Sequence, residues 1–302
     1  MYDVVIIGGG PAGLTAGIYA RRANKTALVI EKASFGGQIT YSPKVENIPG
    51  FAEVTGNEFA EKLVDQAISQ GVDFESCEAK EIIDGDIKKV VTDGETFEAK
   101  TVVIATGAKH RRLGLPKEED FIGDGISFCA VCDGAFFTGR TVAVIGGGNS
   151  ALVEALQLSQ LAKTVYVVQN LPHLTGDATL IKQAEAKDNI NIILGHTVAE
   201  ILGDKTFEGI VIKNEETSKT QNLALDGMFV AIGLVPQNEN FENVISLDKY
   251  GYADYSEVCA SEKNGIFVAG DCRKKAVRQV ATAVSDGAIA AISACNYIDS
   301  LD

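Results

Sequence analysis

Along the chain, short β-branched apolar runs alternate with glycine turns and stretches of helical spacing. Val4-Val5-Ile6-Ile7 is continuously apolar, the pattern of a strand buried on both faces. It enters Gly8-Gly9-Gly10-Pro11-Ala12-Gly13, after which apolar positions recur at helical intervals to about Arg22. A second strand, Thr26 to Ile30, ends at Glu31. Helical spacing returns over Asn57 to Gln70, followed by a strand at Val72 to Phe74. Hairpins follow across Ile82 to Phe97, with turns at Asp84-Gly85-Asp86 and Asp93-Gly94. Lys100 to Ile104 reads as a buried strand closed by Ala105-Thr106-Gly107.

The pattern then restarts. Arg140 to Ile145 is an apolar strand entering Gly146-Gly147-Gly148-Asn149-Ser150-Ala151, with a helix to about Leu161 and a strand at Thr164 to Val168. Laying this stretch on the first places Gly146 on Gly8, Gly148 on Gly10, Ala151 on Gly13 and Gln169 on Glu31. Glycines at such a turn allow close approach of a pyrophosphate to a helix N-terminus, and an acid after the next strand accepts from a ribose hydroxyl. The second copy has a neutral amide in place of that acid. No arginine stands near it for a 2'-phosphate, and Lys163 lies on the wrong side of the strand. Further on, Met228 to Gly233 echoes Val103 to Gly107. Gly265 to Asp271 is a strand ending in Gly-Asp, and a small-residue helix is expected from about Arg278 to Ser293. Asp271 is placed to hold a polyol hydroxyl, and Cys272 reads as a buried small hydrophobe.

Composition narrows the class. With 302 residues and 46% hydrophobic content, the chain has material for two cores, and no apolar run nears the roughly 20 residues of a membrane span. No basic leader precedes Val4, so the expected location is the cytoplasm. A net charge of -14 argues against general nucleic-acid binding. Basic residues do gather at Lys109, Arg111 and Arg112, and at Arg273, Lys274, Lys275 and Arg278.

The chemistry centres on Phe128-Cys129-Ala130-Val131-Cys132-Asp133-Gly134. Two cysteines at this spacing can close a small disulfide whose thiols respond to nearby charge or a helix start. A zinc site would need about four ligands, usually from a second close pair. Cys77, Cys259, Cys272 and Cys295 stand singly, beside only His110, His173 and His196. A permanent structural bridge is disfavoured in a reducing cytosol.

On these residues, together with Gly36-Gly37-Gln38, Glu46-Asn47-Ile48-Pro49-Gly50 and Arg278-Gln279, the chain resembles the low-molecular-weight thioredoxin reductases over essentially its full length. The resemblance implies an α/β fold of two Rossmann-like FAD/NAD(P)-binding domains, the second inserted into the first. The FAD-binding domain would comprise residues 1–112 and 244–302. Residues 113–243 would form the disulfide domain with a degenerate NAD(P)-type unit. It further implies a homodimer, no metal, and FAD held by Gly8, Gly10, Pro11, Ala12, Gly13, Glu31, Gly37, Gln38, Asn47, Thr106, Gly107, Asp271, Arg278 and Gln279. Cys132 would face the flavin, Cys129 would attack the thioredoxin disulfide, and Asp133 would serve as proton donor or acceptor.

In that family the second unit carries a His-Arg-Arg motif for NADPH. Gln169-Asn170-Leu171 stands there instead, as in ferredoxin-dependent flavin thioredoxin reductases. Reduced ferredoxin is therefore the expected donor. An iron-sulfur donor near roughly -400 mV lies below thioredoxin at about -270 mV, so the transfer runs downhill. The Arg111/Arg112 and Arg273 to Lys275 groups are the candidate docking charges. The alternatives are an NAD(P)H-dependent thioredoxin reductase with an atypical nucleotide site, and a non-catalytic flavin redox sensor.

Overall fold

The computed structural model describes residues 1–42 and 45–301. The chain divides into one unit formed by Met1–Lys109 with Val235–Asp302 and an inserted unit, His110–Leu234. The borders read from the sequence, 112/113 and 243/244, lie later. The second border moves because Phe241, Val244 and Ile245 are buried in the core of the first unit, so the chain has left the insert before them.

In chain order the first part holds β1 (Tyr2–Ile7), α1 (Pro11–Arg22), β2 (Ala27–Glu31), α2 (Gly56–Ser69), β3 (Asp73–Ser76), β4 (Ala79–Ile83), β5 (Lys88–Thr92), β6 (Thr96–Ile104) and β7 (Ala108–His110). The insert carries β8 (Ile126–Ser127), α3 (Ala130–Asp133), β9 (Thr141–Ile145), α4 (Asn149–Leu158), β10 (Thr164–Gln169), α5 (Ala178–Glu185), β11 (Ile190–Leu194), β12 (His196–Gly203), β13 (Phe207–Asn214), β14 (Thr220–Ala224) and β15 (Gly227–Val230), and β16 (Leu234–Pro236) runs across its second border. The first unit resumes and closes with β17 (Ile266–Val268) and α6 (Val280–Asp299).

The first unit's seven-stranded sheet has the order β3-β2-β1-β6-β5-β4, with β17 also on β6. β1 pairs in parallel with β2 and β6, and the meander β4-β5-β6 is antiparallel. Period-two alternation sorts β1 between two cores. Val4 and Ile6 pack with Leu14 and Ala16 of α1 and with Ala290 and Ala294 of α6, while Val5 and Ile7 join Phe241 and Ile245 on the other face. Burial on both faces explains why the run had to be continuously apolar.

The inserted unit repeats the plan in a five-stranded sheet ordered β11-β10-β9-β15-β8, wholly parallel in its registers. Val142 and Val144 face Leu152, Ala155 and Leu158 of α4, while Ala143 and Ile145 face Ile210 and Ile212 of the antiparallel β12-β13-β14 sheet. α4 ends at Leu158 rather than near Leu161, and α6 runs on to Asp299, past the expected Ser293. Among the described residues, no helix is long and apolar enough to cross a membrane.

Candidate disulfide centre and dinucleotide turns

In the inserted unit, Cys129 and Cys132 are joined by a disulfide with their Cα atoms 5.3 Å apart. Cys129 is the N-cap residue of the single-turn α3, and its Sγ accepts the backbone N–H of Cys132 at 3.2 Å. The preceding Phe128 ring lies 4.9 Å from the His110 ring, with the Arg112 guanidinium 4.5 Å from its centroid. Burial, then repulsion from Arg112, pushes His110 down to about 4. Its imidazole is therefore neutral near pH 7 and is no proton donor for chemistry there.

The acid beside the disulfide is Asp133. Its Oδ2 accepts from the Ser127 hydroxyl at 2.5 Å, and its Oδ1 is buried without a hydrogen-bond partner among the described residues. Burial raises its pKa, and the Ser127 bond opposes the rise. Sequence reading singled out Asp133 but passed over Ser127, because nothing in Ile126-Ser127-Phe128 marks the serine until the fold brings it against the acid.

α3 packs on α4, which carries a second displaced acid. Glu154 has its Oε2 shielded without a partner among the described residues, and burial pushes it up to about 8. The folded protein thus keeps a proton that the unfolded chain releases near 4.5. Stability should fall as pH rises from about 4.5 to about 8 and then level off. Glu154→Gln is expected to remove that slope, so that urea midpoints of the two proteins agree near pH 4 and separate above neutrality. A gap that does not change with pH would rule out the buried acid as its cause.

The first unit holds the glycine turn that fits a dinucleotide. Pro11 stands at the start of α1, and among the described residues no N-cap side chain bonds its first N–H groups. A Cβ on Gly13 would lie 1.8 Å from the Gly8 carbonyl oxygen, so only glycine lets helix and turn approach this closely. Gly287 plays the matching part on α6, where a Cβ would meet Ala12 O at 2.1 Å. Glu31 Oε2 accepts the Gly9 N–H at 2.7 Å and Oε1 the Ala33 N–H at 2.9 Å, which holds the carboxylate beside the turn. Open space surrounds Gly107, and the nearest atom to a Cβ on Gly10 is 4.0 Å away.

Other expected cofactor contacts meet in part. Asp271 lies 3.2 Å from Lys275 Nζ, yet its buried Oδ1 has no hydrogen-bond geometry to any described partner, as suits an acid awaiting a ligand hydroxyl. Arg278 donates to the Asp271 and Arg273 carbonyls. Asn47 donates to Gln279, which closes a capping box with Thr282. The Thr106 hydroxyl is held by Asn238, a buried amide that the sequence reading missed; Asn238 also donates to Gly251 and Cys272 carbonyls. Gln38 is exposed on the short helical turn Gly37–Tyr41. Glu31, the open positions at Gly10 and Gly107 and the Asp271 carboxyl fit a flavin dinucleotide in their chemistry.

The expected basic docking group at Arg273 to Lys275 is not a surface patch. Arg273 is only 7% exposed, and it and Lys275 both bond Asp286, while Lys274 pairs with Asp254. Helix α6 carries Asp286 under the Gly270-Asp271 turn, and a buried carboxylate there requires those cations. Cys272 is fully buried, as expected.

The second glycine turn differs where the sequence did. Gln169 is buried, and a Cβ on Gly147 would come within 2.6 Å of its Cδ, so the amide lies against this turn as Glu31 lies against the first. Thr175 and Gly176 both donate to the Gly147 carbonyl, folding the following loop over the turn.

Comparison with known proteins places these features. The family model for pyridine nucleotide-disulphide oxidoreductases matches residues 2–287. A thioredoxin reductase of Bacillus subtilis (strain 168) is 38% identical over 303 residues, spanning 100% of this chain and 96% of that one. The "34.2 kDa protein in rubredoxin operon" of Clostridium pasteurianum is 40% identical over 299 residues, covering 98% and 97%. The crystal structure of thioredoxin reductase from Streptococcus pyogenes MGAS5005 superposes with a TM-score of 0.95 at 39% identity, covering 99% of each chain.

Proposed function

The chain belongs to the pyridine nucleotide-disulphide oxidoreductase family, and on that premise we propose that it is a flavin-dependent disulfide reductase acting on thioredoxin. The observation that carries the reading is the Cys129–Cys132 disulfide at a helix start with the buried acid Asp133 next to it. Glu31, Asp271 and the Gly8–Gly13 turn would hold FAD, which supplies the electron pair that opens the disulfide. Once it is open, the Cys132 N–H aimed at Cys129 Sγ favours a thiolate there. That thiolate attacks the thioredoxin disulfide, Asp133 protonates the departing sulfur, and Cys132 then displaces the product from Cys129. His110, being neutral, leaves the proton to Asp133.

For the donor, the family match favours a pyridine nucleotide bound at the second glycine turn, where Gln169 can bond a ribose hydroxyl without charge. The covered turn and the buried Gln169 favour a second reading, in which reduced ferredoxin is the donor. The expected surface charge for it is reduced to Arg111, Arg112 and the Asp254-paired Lys274, since Arg273 and Lys275 are internal. Two subunits forming a homodimer, as the resemblance implies, would serve either donor.

Anaerobic mixing separates the readings. The protein is exposed in turn to NADPH, NADH and reduced ferredoxin, with flavin absorbance and thioredoxin thiols followed together. Bleaching and thiols with a nicotinamide cofactor uphold the first reading. The same response to ferredoxin alone establishes the second, and thiol formation with none of the three removes the reductase assignment.

A further inference from the structure

Ser127 closes β8, whose backbone pairs with β15 at Phe229, so its side chain is launched from a sheet. It is buried, its Oγ accepts the Cys129 N–H at 3.1 Å, and the same oxygen lies 2.5 Å from Asp133 Oδ2. A hydroxyl has one hydrogen and two lone pairs. With the amide taking a lone pair, the hydrogen is free to point at the carboxyl.

We infer that Ser127 is a positioning residue for the acid: its hydrogen is committed to Asp133 Oδ2, which places the proton of the neutral carboxyl on Oδ1, the buried oxygen without a partner. Either placement leaves one hydrogen without an acceptor among the described residues; on Oδ2 the acid's proton would be spent on Ser127, whereas on Oδ1 it is unshared and available to a departing sulfur. Asp133 is fixed in turn by its own N–H, which donates to the Cys129 carbonyl at 3.0 Å. Acid, serine and disulfide therefore form one hydrogen-bonded loop through Cys129.

The assignment rests on the reading of Asp133 as the acid in disulfide exchange. In that step the Cys129 thiolate bonds one sulfur of the substrate disulfide and the substrate S–S bond breaks. Its electron pair goes to the departing sulfur, which takes the Oδ1 proton. Asp133 is left as a carboxylate still accepting from Ser127, and this retained bond stabilises the charged form against burial. Glu154 on α4 is the ionisable side chain of the helix packed on α3, and His110 and Arg112 flank Phe128. At Asp133 itself burial raises the pKa and the Ser127 hydrogen bond opposes the rise.

The test is an infrared titration of the carboxyl band in the oxidised protein, assigned by its loss in Asp133→Asn and run beside the pH profile of thioredoxin reduction. Ser127→Ala should move the titration, and with it the high-pH limb of the rate, upward by about one pH unit. The isosteric pair Ser127→Thr and Ser127→Val repeats the comparison at constant volume and decides it if the alanine variant does not fold. Threonine should titrate as serine does, and valine as alanine does. Equal titrations in the threonine and valine variants overturn the inference. A shift in a protein that reduces no thioredoxin at any pH upholds the Ser127 assignment and overturns the functional reading instead.

Discussion

Cys132→Ser is expected to trap thioredoxin on Cys129 as a mixed disulfide, while turnover falls on the order of a thousandfold or more. The reason lies in the order of the two sulfurs. Cys129 caps the helix start and receives the Cys132 N–H, so it is the sulfur stabilised as a thiolate. With the resolving sulfur replaced by a hydroxyl the forward release is lost, and alkylating the freed thioredoxin thiol blocks the reverse attack that would dissolve the adduct. Cys129→Ser should lose turnover to the same extent and form no adduct. Non-reducing electrophoresis and intact mass after mixing with oxidised thioredoxin read the difference. An adduct on Cys132 in the Cys129→Ser protein would reverse the assignment of roles.

The largest loss of stability is expected from Asp286→Ala, by about 3–5 kcal/mol. Asp286 accepts Arg273 Nε at 3.1 Å, Arg273 Nη2 at 3.2 Å, Lys275 Nζ at 3.2 Å and the Gly270 N–H at 3.0 Å, all with little solvent. Removing it leaves Arg273 without a carboxylate, the Gly270 amide unpaired and Lys275 with Asp271 as its remaining acid, which costs far more than the loss of an exposed ion pair. The Gly270-Asp271 turn also loses its anchor, so flavin retention should weaken along with the urea midpoint. Arg273 keeps its bonds to the Tyr255 and Ser256 carbonyls and so cannot simply turn out to water. A variant with an unchanged midpoint would show that the network is solvated and contributes little.

Much of this protein was legible in the linear sequence because the relevant physics is local. Continuous β-branched runs required strands buried on both faces, and β1, β6, β9 and β10 have that burial. Glycine turns followed by helical spacing located both dinucleotide-type repeats, and the spacing of Cys129 and Cys132 sufficed for the bond between them. The replacement of an acid by Gln169 in the second repeat was equally visible, since it depends on counting positions after a strand.

Tertiary structure alone decided matters that depend on contacts between distant segments. A basic run reads as a solvated face until α6 brings Asp286 beneath it and makes Arg273 and Lys275 internal cations. Glu154 reads as an ordinary polar position on an amphipathic helix until packing shields one of its oxygens. Asn238 is unremarked until it is found joining Thr106 to two carbonyls. Ser127 gains its part in the proposed chemistry only because β15 fixes β8 and the turn of α3 carries Asp133 back to it. Periodicity and turn chemistry are properties of neighbouring residues, so sequence carries them. Burial of charge and the partner of each polar atom belong to the folded chain, where desolvation sets the cost of any group left unpaired.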